Sequence, residues 1–356
     1  MYCIIMAGGS GTRFWPKSRE EKPKQFLSIF SRKSLLQSTV ARFESILPEE
    51  NIFIIARESQ RDIIQSQLPR LNEKNIILEP IGRDTGPCIG LATMMIHERD
   101  PNAVVIVTPA DHLIRKKASF FKTVKAAEKL AERREGIITI GIIPDRPATG
   151  FGYVQIDGEV ETIDDITFFR VKTFAEKPNL ATAQRFIESG DFFWNSGMFV
   201  FRSSFLMDAI EKHLPDLHDG LMEIRQALNR DNVSGVISRV YHQLKGISID
   251  YGIMEKEKNV FLAKGKFVWN DLGNWEQVYR LSRKDNKGNV MHGNVVALDT
   301  ANSFISTSKG VVAVVGLEDV IVVHEAGAIL VCRRDCAEEV KNVLSRLKRE
   351  KLNKYL

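Results

Sequence analysis

Near the amino terminus, Gly8, Gly9 and Gly11 stand in one stretch, Ala7 to Leu27 (AGGSGTRFWPKSREEKPKQFL), with the cations Arg13, Lys17, Lys22 and Lys24. Glycine keeps no side chain between backbone N–H groups and an anion, and Arg and Lys bring neutralising charge. The combination predicts a polyphosphate cradle. Spacing excludes two other glycine loops. The dinucleotide fingerprint needs a third glycine where Phe14 stands, and the Walker pattern needs Gly-Lys-Ser/Thr after four spacer residues. Carboxylates form the second set of candidates. Asp111, in Pro109 to His112 (PADH), directly follows the apolar run Val104 to Thr108 and is a candidate metal or ribose ligand. The commoner use of a lone Asp is as a helix cap.

Other polar clusters recur along the chain: Glu79 to Pro87 (EPIGRDTGP), Thr149 to Tyr153 (TGFGY), Phe174 to Pro178 (FAEKP), Trp194 to Phe199 (WNSGMF), Ser248 to Glu255 (SIDYGIME) and Val268 to Trp275 (VWNDLGNW). Each alone reads equally as a capped turn or an aromatic plug, and Trp194 and Trp275 are expected to pack against neighbours.

The elements that must position these residues follow from hydrophobic period. Short apolar runs predict strands at Tyr2 to Met6, Ile52 to Ala56, Ile76 to Leu78, Val104 to Thr108 and Ile137 to Ile142. Helical spacing appears at Leu35 to Leu47, Ile63 to Leu71, Cys88 to His97, Phe120 to Ala131, Ala181 to Ile187 and Phe205 to His213. Alternating strands and helices imply a doubly wound α/β layer with ligands beyond the carboxyl ends of the strands. The glycine loop, the turn Glu79 to Pro87 and PADH all fall there.

Past Asn286 the texture changes. Gly293, Gly310 and Gly327 recur every 17 residues (310 − 293 and 327 − 310), each before a β-type run. Such a period predicts the stacked coils of a small β-solenoid, with a β-meander as the alternative. An amphipathic helix carrying Val340, Val343, Leu344 and Leu347 is expected to cap it. The chain thus divides into an expected catalytic domain, residues 1–285, and a smaller domain, residues 286–356.

The sequence has 356 residues, 44% hydrophobic and 27% charged, with a net charge of +5. This balance suits anionic small-molecule substrates and lacks the basic runs of a nucleic-acid binder. No apolar stretch reaches the length of a membrane span, and a cytoplasmic protein with reduced Cys3, Cys88, Cys332 and Cys336 is expected.

Taken together, the loop, RDTGP, PADH, TGFGY, FAEKP, WNSGMF, SIDYGIMEK and WNDLGNW occur in the order found in the sugar-phosphate nucleotidyltransferases. The chain resembles that family over almost its whole length, and WNSGMF, SIDY and PADH resemble its mannose-1-phosphate guanylyltransferase branch. The resemblance implies a Rossmann-like nucleotidyltransferase domain with a mixed, mainly parallel sheet, followed by a short left-handed β-helix. It also implies that GTP and mannose 1-phosphate give GDP-mannose and pyrophosphate, that Mg²⁺ is the cofactor, and that the chain forms a homodimer.

By motif, the resemblance assigns Ala7, Gly8, Gly9, Gly11, Thr12 and Arg13 to the triphosphate, with Lys24 beside them. Thr85 and Pro87 fall in the turn where the base should sit, Asp111 and Asp271 at the metal, and Gly152, Glu176, Lys177, Asn195 and Asp250 at the sugar phosphate; Glu79 and Asp84 are candidates, from position alone, for accepting the N1–H and N2–H₂ donors of guanine. Family members usually write Arg-Asn-Thr-Ala-Pro-Ala where this chain has Arg83-Asp84-Thr85-Gly86-Pro87-Cys88. Many also continue into a histidine-rich isomerase domain, and no isomerase activity is expected here. Two alternatives stay open: a pyrophosphorylase for another nucleotide or hexose, and a non-catalytic regulatory homologue. Retention of Arg13, Lys24, Asp111 and Asp271 favours an enzyme.

Overall fold

A computed structural model describes residues 1–9 and 11–356, so Ser10 of the glycine loop lies outside the described residues. By packing, the chain falls into two compact units, each assembled from several stretches. The first comprises Met1–Gly8, Thr39–Ala110 and Ile114–Trp269; the second comprises Gly9–Ser38, Asp111–Leu113 and Asn270–Leu356.

The first unit is built on a sheet that has nine strands among the described residues. In spatial order they are Ile76–Glu79, Ile52–Arg57, Tyr2–Met6, Val104–Pro109, Phe192–Arg202, Ile137–Ile142, Val260–Gly265, Ile166–Glu176 and Gly152–Ile163. The first four are mutually parallel, and Ile137–Ile142 is parallel to Val260–Gly265. Phe192–Arg202 and Ile166–Glu176 run against their neighbours, so the sheet is mixed and mainly parallel. The buried strands are continuous apolar runs because helices cover both faces.

Helix Thr85–His97 is apolar almost all round. Gly90 explains how it fits: a Cβ there would stand 3.1 Å from Leu221 and 3.3 Å from Ile210, on helices Pro215–Ala227 and Ser203–His213. Helices Pro215–Ala227 and Val233–Gln243 fill the stretch between His213 and Ser248, where hydrophobic period alone marks no element. Their apolar positions, Leu217, Leu221 and Ile224 on one and Val240 and Tyr241 on the other, complete the core of this layer.

The second unit contains the short β-helix. Val295–Leu298 pairs in parallel with Val312–Val315, and Phe304–Thr307 with Val320–Glu325, both at an offset of 17 residues (295 to 312, 304 to 321). The period read from the glycines is therefore the length of a coil. It does not continue through Gly327, whose φ of 74° turns the chain back, so that Ala328–Arg333 runs antiparallel to Val320–Glu325. Helix Val340–Arg349 lays its apolar face on a core shared by Phe14, Trp15, Trp275, Phe304 and Ile321. The glycine-loop stretch thus packs with the β-helix sequence.

Among the described residues no helix is long and apolar enough to cross a membrane. All four cysteines are free.

Candidate active site

In the second unit the loop after Gly9 forms two short 3-10 turns, Thr12–Phe14 and Lys24–Phe26. Gly11 joins them. Its φ is 60°, and a Cβ on it would fall 2.4 Å from both the Cβ and the backbone nitrogen of Lys24. Glycine is required there by close approach of the chain to itself. Gly8 and Gly9 are under no such constraint, since a Cβ on either would have only a side-chain oxygen nearby, from Glu79 at 3.6 Å and from Gln25 at 3.9 Å respectively. Gln25 also donates to the Gly9 carbonyl at 2.9 Å, which fixes the start of the loop.

A cavity of about 270 Å³ in this unit is lined by Gly11, Thr12, Arg13, Lys24, Asp111 and Asp271. Lys24 is the hub: its Nζ lies 2.7 Å from Asp111 Oδ2 and donates to the Asp271 carbonyl at 2.5 Å. Burial pushes the Asp111 carboxyl up, but Lys24 and then His112 oppose this and hold it below the usual carboxylate range. Asp111 is therefore an ion-paired carboxylate and not a helix cap. Arg13 is held by Glu338, with its Nε 2.9 Å from Oε1. Lys17 and Lys22 do not reach this cavity: Lys17 donates to the Ser28 carbonyl and lines a separate cavity with His292 and Glu325, and Lys22 is exposed.

The donor chemistry here suits a hard divalent ion. Asp111 and Asp271 offer oxygen ligands to one cavity, and Mg²⁺ usually takes one or two carboxylates and fills the rest of its shell with phosphate and water. Among the described residues no group of three or more His, Cys, Asp or Glu side chains forms a closed cage.

In the first unit, the sugar-phosphate candidates come together through the sheet. Gly152 faces Glu176 across the hairpin, and a Cβ on Gly152 would meet Glu176 Oε2 at 2.5 Å and Asn195 Cβ at 3.5 Å. Asn195 donates to Asp250 Oδ1 at 2.7 Å and accepts from Thr139 Oγ1 and the Gly197 amide, each at 3.2 Å. Lys177, with φ of 47°, turns its ammonium back onto Glu176 at 2.8 Å. Burial and the charge of Glu176 push Asp250 up to about 6, and the same two influences raise Glu255. Thr139 and Glu255 belong to this cluster without having been singled out by sequence, since Thr139 sits inside an apolar run and Glu255 at the end of SIDYGIME.

The base candidates are more dispersed. Glu79 is buried, one oxygen (Oε1) has no hydrogen-bond partner, and burial pushes it up to about 7 against the influence of Tyr241, Cys88 and Arg57. The RDTGP turn docks on the end of helix Val233–Gln243 and the segment that leads from it to Asp250: Arg83 donates to the Tyr241 and His242 carbonyls, and Thr85 Oγ1 accepts from the Ile249 amide. Pro87 is buried, and its carbonyl accepts from Tyr241 at 3.2 Å. Gly86, the departure from the family's usual Ala, has a packing cause: a Cβ there would lie 2.7 Å from the Ile247 carbonyl. Asp84 is exposed at φ 65° and makes no side-chain cap to helix Thr85–His97. Ala7 closes the first strand, its amide bonded to the Ile55 carbonyl at 2.8 Å.

Comparisons with known proteins agree with this arrangement. Residues 2–288 match the nucleotidyl transferase family model, and residues 293–347 match that of the MannoseP isomerase/GMP-like beta-helix domain. A mannose-1-phosphate guanylyltransferase of Escherichia coli is 38% identical over 97% of this chain and 75% of its own length. A second, from Escherichia coli strain K12, is 37% identical over 98% of this chain and 73% of its own length. Among solved structures, one from Thermus thermophilus, described as a mannose-1-phosphate geranyltransferase, superposes with a TM-score of 0.88 at 33% identity, covering 98% of this chain and 99% of that one. Nucleotidyl transferases of this kind generally use a divalent metal. With its sheet, its β-helix and its loop-borne cations and carboxylates accounted for, the chain belongs to the nucleotidyl transferase family, in the branch of the mannose-1-phosphate guanylyltransferases.

Proposed function

We propose that this protein is a mannose-1-phosphate guanylyltransferase that makes GDP-mannose and pyrophosphate from GTP and α-D-mannose 1-phosphate. A phosphate oxygen of the sugar phosphate forms a bond to the α-phosphorus of GTP while the bond to the bridging oxygen of the β-phosphate breaks, and pyrophosphate leaves with that oxygen. Both reactants are anions, so alignment and neutralisation carry the catalysis. The observation that supports this best is the cavity that holds Arg13, Lys24, Asp111 and Asp271 together.

In this reading Asp111 and Asp271 hold Mg²⁺, which when bound supplies charge neutralisation on the phosphates. Lys24 orders Asp111 and brings a second positive charge to the same place. Gly8, Gly9, Gly11 and Thr12 present backbone to the triphosphate, and Arg13 faces the departing pyrophosphate. Lys177 binds the sugar's phosphate, while Glu176, Asp250 and Asn195, backed by Gly152, accept from and donate to sugar hydroxyls. Guanine offers N1–H and N2–H₂ donors, and Glu79, buried with one oxygen unpartnered, is the acceptor best placed to select it. Exposed Asp84 is the weaker candidate, and Thr85 and Pro87 shape the turn. The remaining features of the reading are a catalytic domain at residues 1–285, a β-helix domain at residues 286–356, a cytoplasmic location and a homodimer. The junction of the two family models between residues 288 and 293 supports the domain boundary.

The test is pyrophosphate release from the purified protein with Mg²⁺ and each nucleoside triphosphate, paired with mannose 1-phosphate or glucose 1-phosphate. Release confined to GTP with mannose 1-phosphate is the expected result. Release with another pair would move the substrate, and none with any pair would favour a non-catalytic binding protein.

A further inference from the structure

Arg13 Nε is engaged by Glu338, while no protein partner is found for its Nη1 and Nη2 among the described residues. Glu338 is itself held from the other side: Asn274 Nδ2 donates to its Oε2 at 2.9 Å. Asn274 is fixed in turn, because its Oδ1 accepts from the Gln277 amide as the cap of helix Trp275–Leu281. The backbone carrying Glu338 is anchored one turn earlier, where Arg334 contacts Glu276 at 2.8 and 2.9 Å and Asp319 at 2.9 Å. On its carboxyl side, the helix that follows packs on Phe14 and Trp15 through Val340, Leu344 and Leu347, and Trp15 Nε1 donates to the Tyr355 carbonyl at 2.8 Å.

An arginine fork has one edge through Nε and another through its terminal nitrogens. A carboxylate fixed on the Nε edge restricts the rotamers of the side chain and leaves the terminal edge for an anion. Both side chains are about half exposed, so the contact contributes little to stability as an ion pair, and its effect lies in orientation. We infer that Glu338, seated on Asn274, is a positioning residue that orients the Arg13 guanidinium toward the nucleoside triphosphate. The inference rests on the reading of Arg13 as a triphosphate ligand. It gives the segment after the β-helix a part in the reaction that its sequence does not announce.

The experiment compares E338A, E338Q, R13A and the double variant R13A/E338A in full-length protein, with kcat and KM measured separately for GTP and for mannose 1-phosphate. E338A is expected to lower kcat/KM for GTP about tenfold while KM for mannose 1-phosphate changes less than twofold. E338Q keeps an oxygen for Nε and is expected to lose about threefold. In the R13A background, E338A should cause no further loss, since the two act as one unit. Should E338A fail to fold in a thermal melt, the threefold, GTP-specific loss of E338Q carries the test. Unchanged or tighter GTP use in E338Q and E338A beside an impaired R13A would overturn the inference alone, as would full additivity in the double variant. Wild-type kinetics in R13A would instead remove the reading beneath it.

Discussion

Asp111 and Asp250 are the same residue in two opposed surroundings. Asp111 has Lys24 at 2.7 Å, and that ammonium, with His112, outweighs burial and keeps the carboxyl ionised. Asp250 has Asn195 as a neutral partner and Glu176 as a charged neighbour, so burial and repulsion win and its carboxyl rises to about 6. One cluster is arranged to hold negative charge and the other to tolerate as little of it as possible. That contrast fits the division of labour proposed here, since polyphosphate and metal need fixed charge, whereas hydroxyl groups need hydrogen-bond partners.

The most severe way to break the contrast is to remove the ammonium. Lys24→Ala is expected to lower turnover about 10³-fold and Arg13→Ala about 10²-fold, each being the loss of a preorganised charge in the same cavity. Steady-state pyrophosphate release measures both, and near-normal turnover in Lys24→Ala would show that Asp111 needs no fixed cation. Next in size, Asp271→Asn is expected to shift the divalent-ion titration on the order of tenfold while leaving KM for the sugar phosphate in place. An unchanged titration would take Asp271 out of the metal site.

Asp250→Asn sharpens the other side of the comparison. In the folded chain the Asp250 carboxyl keeps its proton up to about 6, against an ordinary aspartate value of 3.8 in the unfolded chain. Between those values the folded state binds more protons, so this group's contribution to stability falls as pH rises from about 3.8 to about 6 and then levels off. The amide never ionises. Melting temperatures across that window should lose part of their downward slope in Asp250→Asn, and KM for mannose 1-phosphate should rise about tenfold through one altered hydrogen-bonding group. A variant that melts lower at about pH 7 than at about pH 5 by the same margin as the native chain would contradict this. The smallest effect belongs to Asp84→Gly. Asp84 holds φ 65° and ψ −172°, a region nearly confined to glycine, and relief of that strain should add about 1 kcal/mol to stability in a denaturant melt.

Much of the fold was legible because it is written in local period. The strand Ile137–Ile142 forms over the span its apolar run marks, helix Phe120 to Ala131 lies within Lys117–Arg133, and the coil length equals the glycine interval. Helix Leu35–Phe43 stops before Leu47, which the apolar spacing alone includes. What local period does not carry is the cause of a contact. Gly11 reads as a phosphate-binding glycine, yet its steric demand comes from Lys24, 13 positions on (24 − 11). Lys17 and Lys22 read like Arg13 and Lys24, but direction within the loop separates them. Thr139, Asn195 and Asp250 meet only because two neighbouring strands and the helical turn Asp250–Met254, from three parts of the chain, come together, and no spacing in sequence encodes that. Glu338 is one acid among many in a charged tail, and nothing short of its contact with Arg13 distinguishes it.

The strand Ala328–Arg333 carries a further meaning for how such a domain can change in length. Because each parallel coil meets only its immediate neighbours, coils are interchangeable modules. A strand that runs backward offers the next coil no matching ladder, so after Gly327 the series has an end stop. Any lengthening by duplication of a 17-residue module would have to enter upstream, between the paired runs at Val295–Leu298 and Val312–Val315, leaving the closing hairpin and the helix behind it as a fixed terminus.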